Sequence, residues 1–586
     1  MTAGDVIDGK GDRPVSPLSR MRLIAPLAVL LLTAAVYLPA LGFGFVCDDQ
    51  GQIVDSQAHY SWSELPSFFT QDVWHYVHTV ASNYYRPAFL FWVMANSKLL
   101  GLNTTLWHAS AIALHLAVTL LVYLIGLRLT RNVGVSSAAA LLFGVHPVHV
   151  EVVAWLSAAT ESLFALFSLG AILCQLYGRR IAAVLLFAGA LLSKETAMAL
   201  PLLLAACDWL FPGDPGDQRR HRIGKAMSTI AMCLGVELLY AAARIHALGS
   251  FLPPSTTWTP RMVAATAPGV VLLYLRQLLV PFQYSLFYGA GASASLSRAI
   301  GPAIIVVLGA AVLVWIASRS KVYAFCALLL AIPMLPALNL TAFTTFDFEH
   351  DRYLYLSSAG LCLIAAMAAA KLMAKWPALV RLALLGAVVV WLAGVNVLSS
   401  GYWADNTTLY THTLDVAPSD PVALQYMADV WMGQQRYSEA LPILKKGLLI
   451  ASSAQQFERV GYCYVMMGDD NSAEGYLYRA ISLDPQSHLA RSYLADIERR
   501  RGNLKEAEAQ IRVALQLRPH ATPQLASYHA TLGMILEAEG NLPGARGEYA
   551  AQLAENPESA DARERLRDIE RRLPASDGSN GAKIKE

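Results

Sequence analysis

The chain has 586 residues, of which 55% are hydrophobic and only 15% charged, and its mean hydropathy is +0.41. Soluble domains carry about 25% charged residues, so this composition excludes a wholly soluble protein and points to repeated membrane crossing. A net charge of +2, with Lys and Arg at the ends of apolar runs rather than in a patch, excludes nucleic acid as a partner.

Residues 1–20 read as a cytoplasmic arm. Arg13, Arg20 and Arg22 precede an apolar run from Leu23 to Phe43, which is of spanning length and longer than a signal-peptide core, so an uncleaved anchor is expected. Residues 21–400 then form a multi-spanning domain. Its apolar runs predict about eleven spans, near 22–42, 107–127, 133–147, 158–177, 181–196, 197–211, 226–246, 300–318, 321–340, 353–373 and 377–398. The segment 86–101 is short and polar on one side, which predicts an interfacial helix. The segment 264–281 is left out of the count because Arg276 and Gln277 fall near its middle, where an unpaired charge is costly in lipid.

Short basic loops set the orientation. With eleven crossings, Arg128/Arg131, Arg179/Arg180, Arg219 to Lys225, Arg319/Lys321 and Lys371 to Arg381 all fall in the cytoplasm with the arm. The same parity places outside the loop carrying Asp48 and Asp49, the stretch His146 to Glu151, Lys194 with Glu195, residues 247–299, Glu349 to Arg352, and everything after residue 398. Five of the seven cysteines lie inside apolar segments, too scattered for a disulfide framework or a zinc site.

After residue 400 the composition turns polar and repeats. Ala440, Ala473, Ala507 and Ala545 recur at intervals of 33, 34 and 38 residues, close to the 34-residue tetratricopeptide period, with the last interval lengthened by an insertion after Pro519. Gly461, Ala495 and Gly533 fall where the first helix of each unit must approach the second. Pro485, Pro519 and Pro557 end the units. Residues 401–573 are therefore expected to form a helical solenoid with a continuous curved surface, and the Ser-, Gly- and Asn-rich tail 574–586 to be disordered.

Five motifs precede the repeats in a fixed order: Phe45-Val46-Cys47-Asp48-Asp49, Tyr85-Arg86-Pro87, His146-Pro147-Val148-His149-Val150-Glu151, Leu192-Ser193-Lys194-Glu195 and Asp351-Arg352-Tyr353-Leu354-Tyr355-Leu356. In that order the chain resembles the transmembrane, tetratricopeptide-containing O-mannosyltransferases and their bacterial relatives, within the GT-C class of glycosyltransferases. The resemblance implies an all-α fold in which a polytopic GT-C domain is followed by the solenoid. It also implies a carboxylate in the first outer loop, a polyprenyl-phosphate sugar as donor, and repeats that face the same compartment, periplasm or endoplasmic reticulum lumen. Two places depart from the pattern: Cys47 stands where an aromatic or small residue is common, and Ala158-Ala159-Thr160-Glu161 replaces a more basic, Asp-containing stretch, which leaves the role of Glu161 open.

The chemistry assigns candidate roles. An acceptor hydroxyl attacking an anomeric carbon needs a carboxylate to take its proton, and cations to stabilise the departing phosphate. Asp48 and Asp49 are the candidate base and its partner, Asp48 favoured, against the alternative that both cap a turn. Lys194 and Arg352 are the first candidates for the donor phosphate, followed by Arg86 and Arg276. The alternative for the first two is pairing, Lys194 with Glu195 and Arg352 with Asp351. His146, His149, Glu151, Glu195, His350 and Asp351 are candidate site-lining residues. No metal is assigned, because Pro147 breaks the helix that would align the histidines, and the need for a divalent cation is left open. The expected activity is transfer of a hexose, mannose by the resemblance, to a hydroxyl acceptor outside the cytosol with inversion, the solenoid holding an acceptor protein or peptide. The competing readings are a non-catalytic membrane-anchored scaffold and a transferase acting on a cell-surface glycan.

Overall fold

The computed structural model describes residues 17–76, 82–212, 218–249, 258–289, 291–517 and 527–573. Most of the N-terminal arm, the insertion after Pro519 and the tail from Pro574 lie outside the described residues. Among the described residues the only strand-like pairing is one isolated bridge between Thr344 and Asp347, so the protein is all-α. The chain divides into two compact units, residues 1–73, 82–286 and 290–409 in the first and 74–81, 287–289 and 410–586 in the second.

The first unit is a bundle of apolar helices. In chain order they are α1 (Pro17–Tyr37), α2 (Pro87–Leu100), α3 (Thr104–Thr130), α4 (Val133–Val145), α5 (Val150–Ala154), α6 (Ala159–Leu176), α7 (Arg180–Ser193) and α8 (Leu200–Leu210). They continue as α9 (Arg219–Leu248), α10 (Pro260–Leu279), α11 (Leu296–Ala317), α12 (Lys321–Ala331), α13 (Tyr355–Leu372) and α14 (Ala378–Gly401). Among the described residues nine helical stretches are long and apolar enough to cross a membrane, or ten if α4 and α5, bent by 51° at Pro147, count as one. Buried fraction sorts them: the stretch containing α6 is 78% buried and forms the centre with α3, whereas α11 and α14 are each 6% buried and form the periphery. Gly360 on α13 lets α12 come to backbone contact, since a Cβ there would lie 2.5 Å from the Cys326 carbonyl oxygen.

Two expectations are corrected. The segments 181–196 and 197–211 form α7 and α8, of 14 and 11 residues, shorter than the about 20 that a lone span requires. Lys194 after α7 pairs with Glu161 at the start of α6, and Asp208 near the end of α8 pairs with Arg180 at the start of α7, so the two helices run antiparallel. The segment 86–101 forms α2, whose Phe89, Leu90, Val93 and Met94 are buried against the bundle while Phe91 and Leu99 are exposed, and it is not among the helical stretches long and apolar enough to cross a membrane. The segment 264–281 forms most of α10, which does pass the length and composition test; Arg276 donates to Gln283 and Gln277 is buried, so the polar groups are accommodated.

α15 (Asn406–Val416) begins in the first unit and ends in the second. The second unit contains the helix pairs α16 (Pro421–Gly433) with α17 (Tyr437–Ile450), α18 (Ala454–Met466) with α19 (Asp470–Leu483), α20 (His488–Arg501) with α21 (Leu504–Leu517) and α22 (Tyr528–Ala538) with α23 (Leu542–Glu555), then α24 (Ala560–Arg572). Ala440, Ala473, Ala507 and Ala545 are fully buried within these pairs. A Cβ on Gly461 would lie 2.5 Å from Leu477, and one on Gly533 would lie 2.6 Å from the Tyr549 ring. The repeat pattern therefore corresponds to helix pairs whose closest approach is fixed by missing side chains.

Candidate active site

The loop after α1 is fastened at both ends of its turn. Gly44 N–H donates to the Ala404 carbonyl at 2.9 Å, and Cys47 N–H donates to Asn406 Oδ1 at 2.8 Å. Cys47 itself sits in the left-handed region at φ 54°, a conformation that a non-glycine residue holds only where its surroundings impose it. The chain then enters a π-helical turn, Gln50–Asp55.

This geometry separates the two carboxylates. Asp49 is fully buried; its Oδ1 accepts from Ser157 N–H at 2.7 Å and Ser157 Oγ at 2.6 Å, and its Oδ2 accepts from Val46 N–H at 3.1 Å. Burial pushes its pKa up to about 7 even though those donors favour the charged form. Asp48 is partly exposed, and among the described residues its carboxylate is hydrogen-bonded only by the Cys47 thiol, at 3.7 Å. Burial raises it to about 6, with Arg352 and Arg86 pulling it down and Asp347 pushing it up. Asp49 holds the loop against Ser157, and Asp48 is the carboxylate left available.

Three cations, each joined to an acid, form a cluster that acts on Asp48 through Arg352 and Arg86. Arg86 grips Glu195 with two bonds, of 3.0 and 3.3 Å, and lies 4.3 Å from the centre of the Tyr84 ring. Burial alone would raise the Glu195 carboxyl, but Arg86 outweighs it and holds it at about 2. Lys194 is buried and bonds Glu161. Arg352 bonds one oxygen of Glu151 with its guanidinium and the other with its backbone N–H, the latter at 2.9 Å. Tyr353 ties these pairs together, its ring 4.6 Å from the Lys194 ammonium and 5.2 Å from the Arg352 guanidinium, while Trp155 covers Arg352 from 5.1 Å. Buried charges survive only when paired in this way.

The other sequence-predicted residues divide. His350 Nε2 lies 2.8 Å from Asp347 and its Nδ1 is 3.9 Å from Glu151, so it joins the cluster; Asp351 is buried beside it. His149 bonds Ser358 Oγ at 2.8 Å, and His146 lies 3.2 Å from the Leu278 carbonyl and accepts from Val148 N–H. Both act in the packing around the Pro147 bend. Arg276 is turned to Gln283 at 2.9 Å and is not among the cations that meet Asp48. Among the described residues no group of three or more His, Cys, Asp or Glu side chains could hold a metal ion.

Both cations are paired, but with other acids than the alternative reading named. Lys194 takes Glu161, 33 residues earlier, instead of Glu195, and Arg352 takes Glu151 instead of Asp351. Sequence reasoning also passed over Trp155, Ser157, Asp347 and Tyr353 as site residues. Only Tyr353 carried a signal, its place in the Asp351 to Leu356 motif.

No protein-family model matches the chain. The chain is 28% identical over 435 residues to protein O-mannosyl-transferase F38B6.6 of Caenorhabditis elegans, covering 70% of this chain and 60% of that protein. It is 24% identical over 558 residues to protein O-mannosyl-transferase TMTC3 of Mus musculus, covering 84% of this chain and 60% of that protein. The chain thus spans about 60% of the length of these curated relatives. Among solved structures it is similar to YrrB, a TPR protein with an unusual peptide-binding site, at 20% identity and TM-score 0.23, over 31% of this chain and 89% of that one. The resemblance to the transmembrane, tetratricopeptide-containing O-mannosyltransferases read from motif order is also found in whole-sequence comparison.

Proposed function

We propose that this chain, similar over most of its length to animal protein O-mannosyl-transferases, is a GT-C glycosyltransferase that moves a hexose, mannose by analogy with those relatives, from a polyprenyl phosphate to a hydroxyl acceptor. One observation carries the reading: the available carboxylate, Asp48, stands within the fields of Arg352 and Arg86, in a cluster of buried ion pairs on the loops between apolar helices. In this reading Asp48 takes the proton of the attacking hydroxyl as its oxygen bonds to the anomeric carbon, and the bond from that carbon to the phosphate oxygen breaks. Arg352, Arg86 and Lys194 receive the charge that gathers on the leaving phosphate, with arginine suited to a two-point grip. A single displacement with one base inverts the anomeric configuration. Asp49 positions the loop. The gathering of basic residues at the opposite helix ends supports an extracytoplasmic site, and the solenoid is the proposed holder of an acceptor protein or peptide.

Turnover of radiolabelled polyprenyl-phosphate mannose by the detergent-purified full chain tests the proposal. Donor consumption that disappears in Asp48→Asn supports it. No consumption of any polyprenyl-phosphate hexose by the wild type would leave the membrane-anchored scaffold as the better reading, and consumption that requires a glycan acceptor would reassign the acceptor class.

A further inference from the structure

A second charged feature lies at the other end of α3. Phe45 in the first loop packs its ring 6.2 Å from Trp107, and the Gly44 carbonyl meets His108 at 3.3 Å, so the Asp48 loop caps the start of this helix. Arg128 and Arg131 stand about 30 Å further along it, at a rise of about 1.5 Å per residue. There a cavity of about 470 Å³ opens, lined by Arg128, Arg131 and Lys321 together with Leu129, Phe211 and Val322 among others. No Asp or Glu lines it.

The contrast with the Asp48 cluster is the informative point. There every cation has its carboxylate. Here Arg128 donates to the Leu176 carbonyl at 2.9 Å and packs against Tyr177, but no hydrogen bond or ion pair engages the side chain of Arg131 or Lys321 among the described residues. The amino-terminal end of α12, eleven residues long, starts at Lys321 and adds the positive end of its dipole. A concave site with three cations, no internal acid and apolar walls is complementary to an anion that brings hydrocarbon with it.

We propose that this cavity binds the phosphodiester head group of an anionic phospholipid in the leaflet at the basic end of the helices. Arg131 and Lys321 contact the phosphate, Arg128 stays on its carbonyl at the rim, and Leu129, Phe211 and Val322 lie along the glycerol and the first acyl carbons. The lipid is favoured over dissolved phosphate because half of the named wall is apolar and the site lies at the ends of membrane helices. This inference does not depend on the catalytic reading.

The test is binding of phosphatidylglycerol and phosphatidylcholine to the delipidated, detergent-purified full chain, followed by native mass spectrometry. Wild type is expected to hold phosphatidylglycerol selectively, and Arg131→Gln and Lys321→Gln each to weaken that binding by about fivefold. Arg319→Gln, whose guanidinium rests on Trp315 at 4.0 Å outside the cavity lining, is expected to leave it unchanged. Equal retention of the two lipids by wild type would overturn the proposal without any variant. So would an equal loss in Arg319→Gln, which would mean diffuse surface charge, or displacement of the lipid by millimolar inorganic phosphate, which would mean a soluble-anion site.

Discussion

Replacing Asp48 and Asp49 one at a time should produce opposite phenotypes. Asparagine at 49 keeps one oxygen for Ser157 but turns an NH2 group toward Val46 N–H, where a carboxylate oxygen now accepts at 3.1 Å. The Val46 bond is lost and two donors face each other in a buried site. At about 1–3 kcal/mol for a buried group left unsatisfied, the expected loss is about 1–3 kcal/mol. Asp48 accepts only a weak thiol contact at 3.7 Å, so Asp48→Asn should cost less than about 0.5 kcal/mol. Catalysis reverses the order. Removing a general base lowers turnover by about 100- to 10,000-fold, which is expected for Asp48→Asn, while Asp49→Asn should stay within about tenfold of wild type per folded molecule. Thermal unfolding in detergent, read beside donor turnover on the same preparations, measures both. An Asp49→Asn protein as stable as wild type, or an Asp48→Asn protein with full turnover, would refute the division of labour.

The pH profile should follow Asp48. A base must be ionised, and with its pKa raised to about 6, kcat/KM is expected to be halved near that pH and to fall tenfold for each further unit of acidification; a profile flat down to pH 5 would remove Asp48 from the role. Glu161→Gln leaves the buried Lys194 ammonium without its acid and should destabilise the first unit by about 3–5 kcal/mol, while adding Lys194→Met should recover much of that stability, both read by thermal unfolding. In the solenoid, Gly533→Ala drives a methyl to 2.6 Å from the Tyr549 ring and should cost about 1–3 kcal/mol; an unchanged unfolding midpoint for that unit would show that Tyr549 moves aside freely.

What the sequence made legible was what repeats or stays local. The alanine spacing announced the helix pairs, and apolar length announced most of the membrane helices. The order of five short motifs identified the loops that contain Asp48, Arg86, Lys194, Glu195 and Arg352. It could not show which acid each cation takes, because Glu161 reaches Lys194 only through the packing of α6 on α7, and Glu151 reaches Arg352 only through that of α5 on the turn Asp351–Leu354. Neighbours in sequence were the natural guess, and they point elsewhere: Glu195 turns to Arg86. The lengths of α7 and α8 were overestimated for a related reason. Hydropathy counts apolar residues, but protein walls allow a buried helix to be shorter than the bilayer.

The tethered acids also bear on selectivity. Any anion arriving at Arg352 or Arg86 must evict a carboxylate that is already in place and never diffuses away. Orthophosphate from the surrounding water has nothing to set against that eviction, so ordinary cellular anions should fail to clog the site. A molecule anchored in the bilayer by a long hydrocarbon chain arrives pre-concentrated and oriented, and can win the exchange.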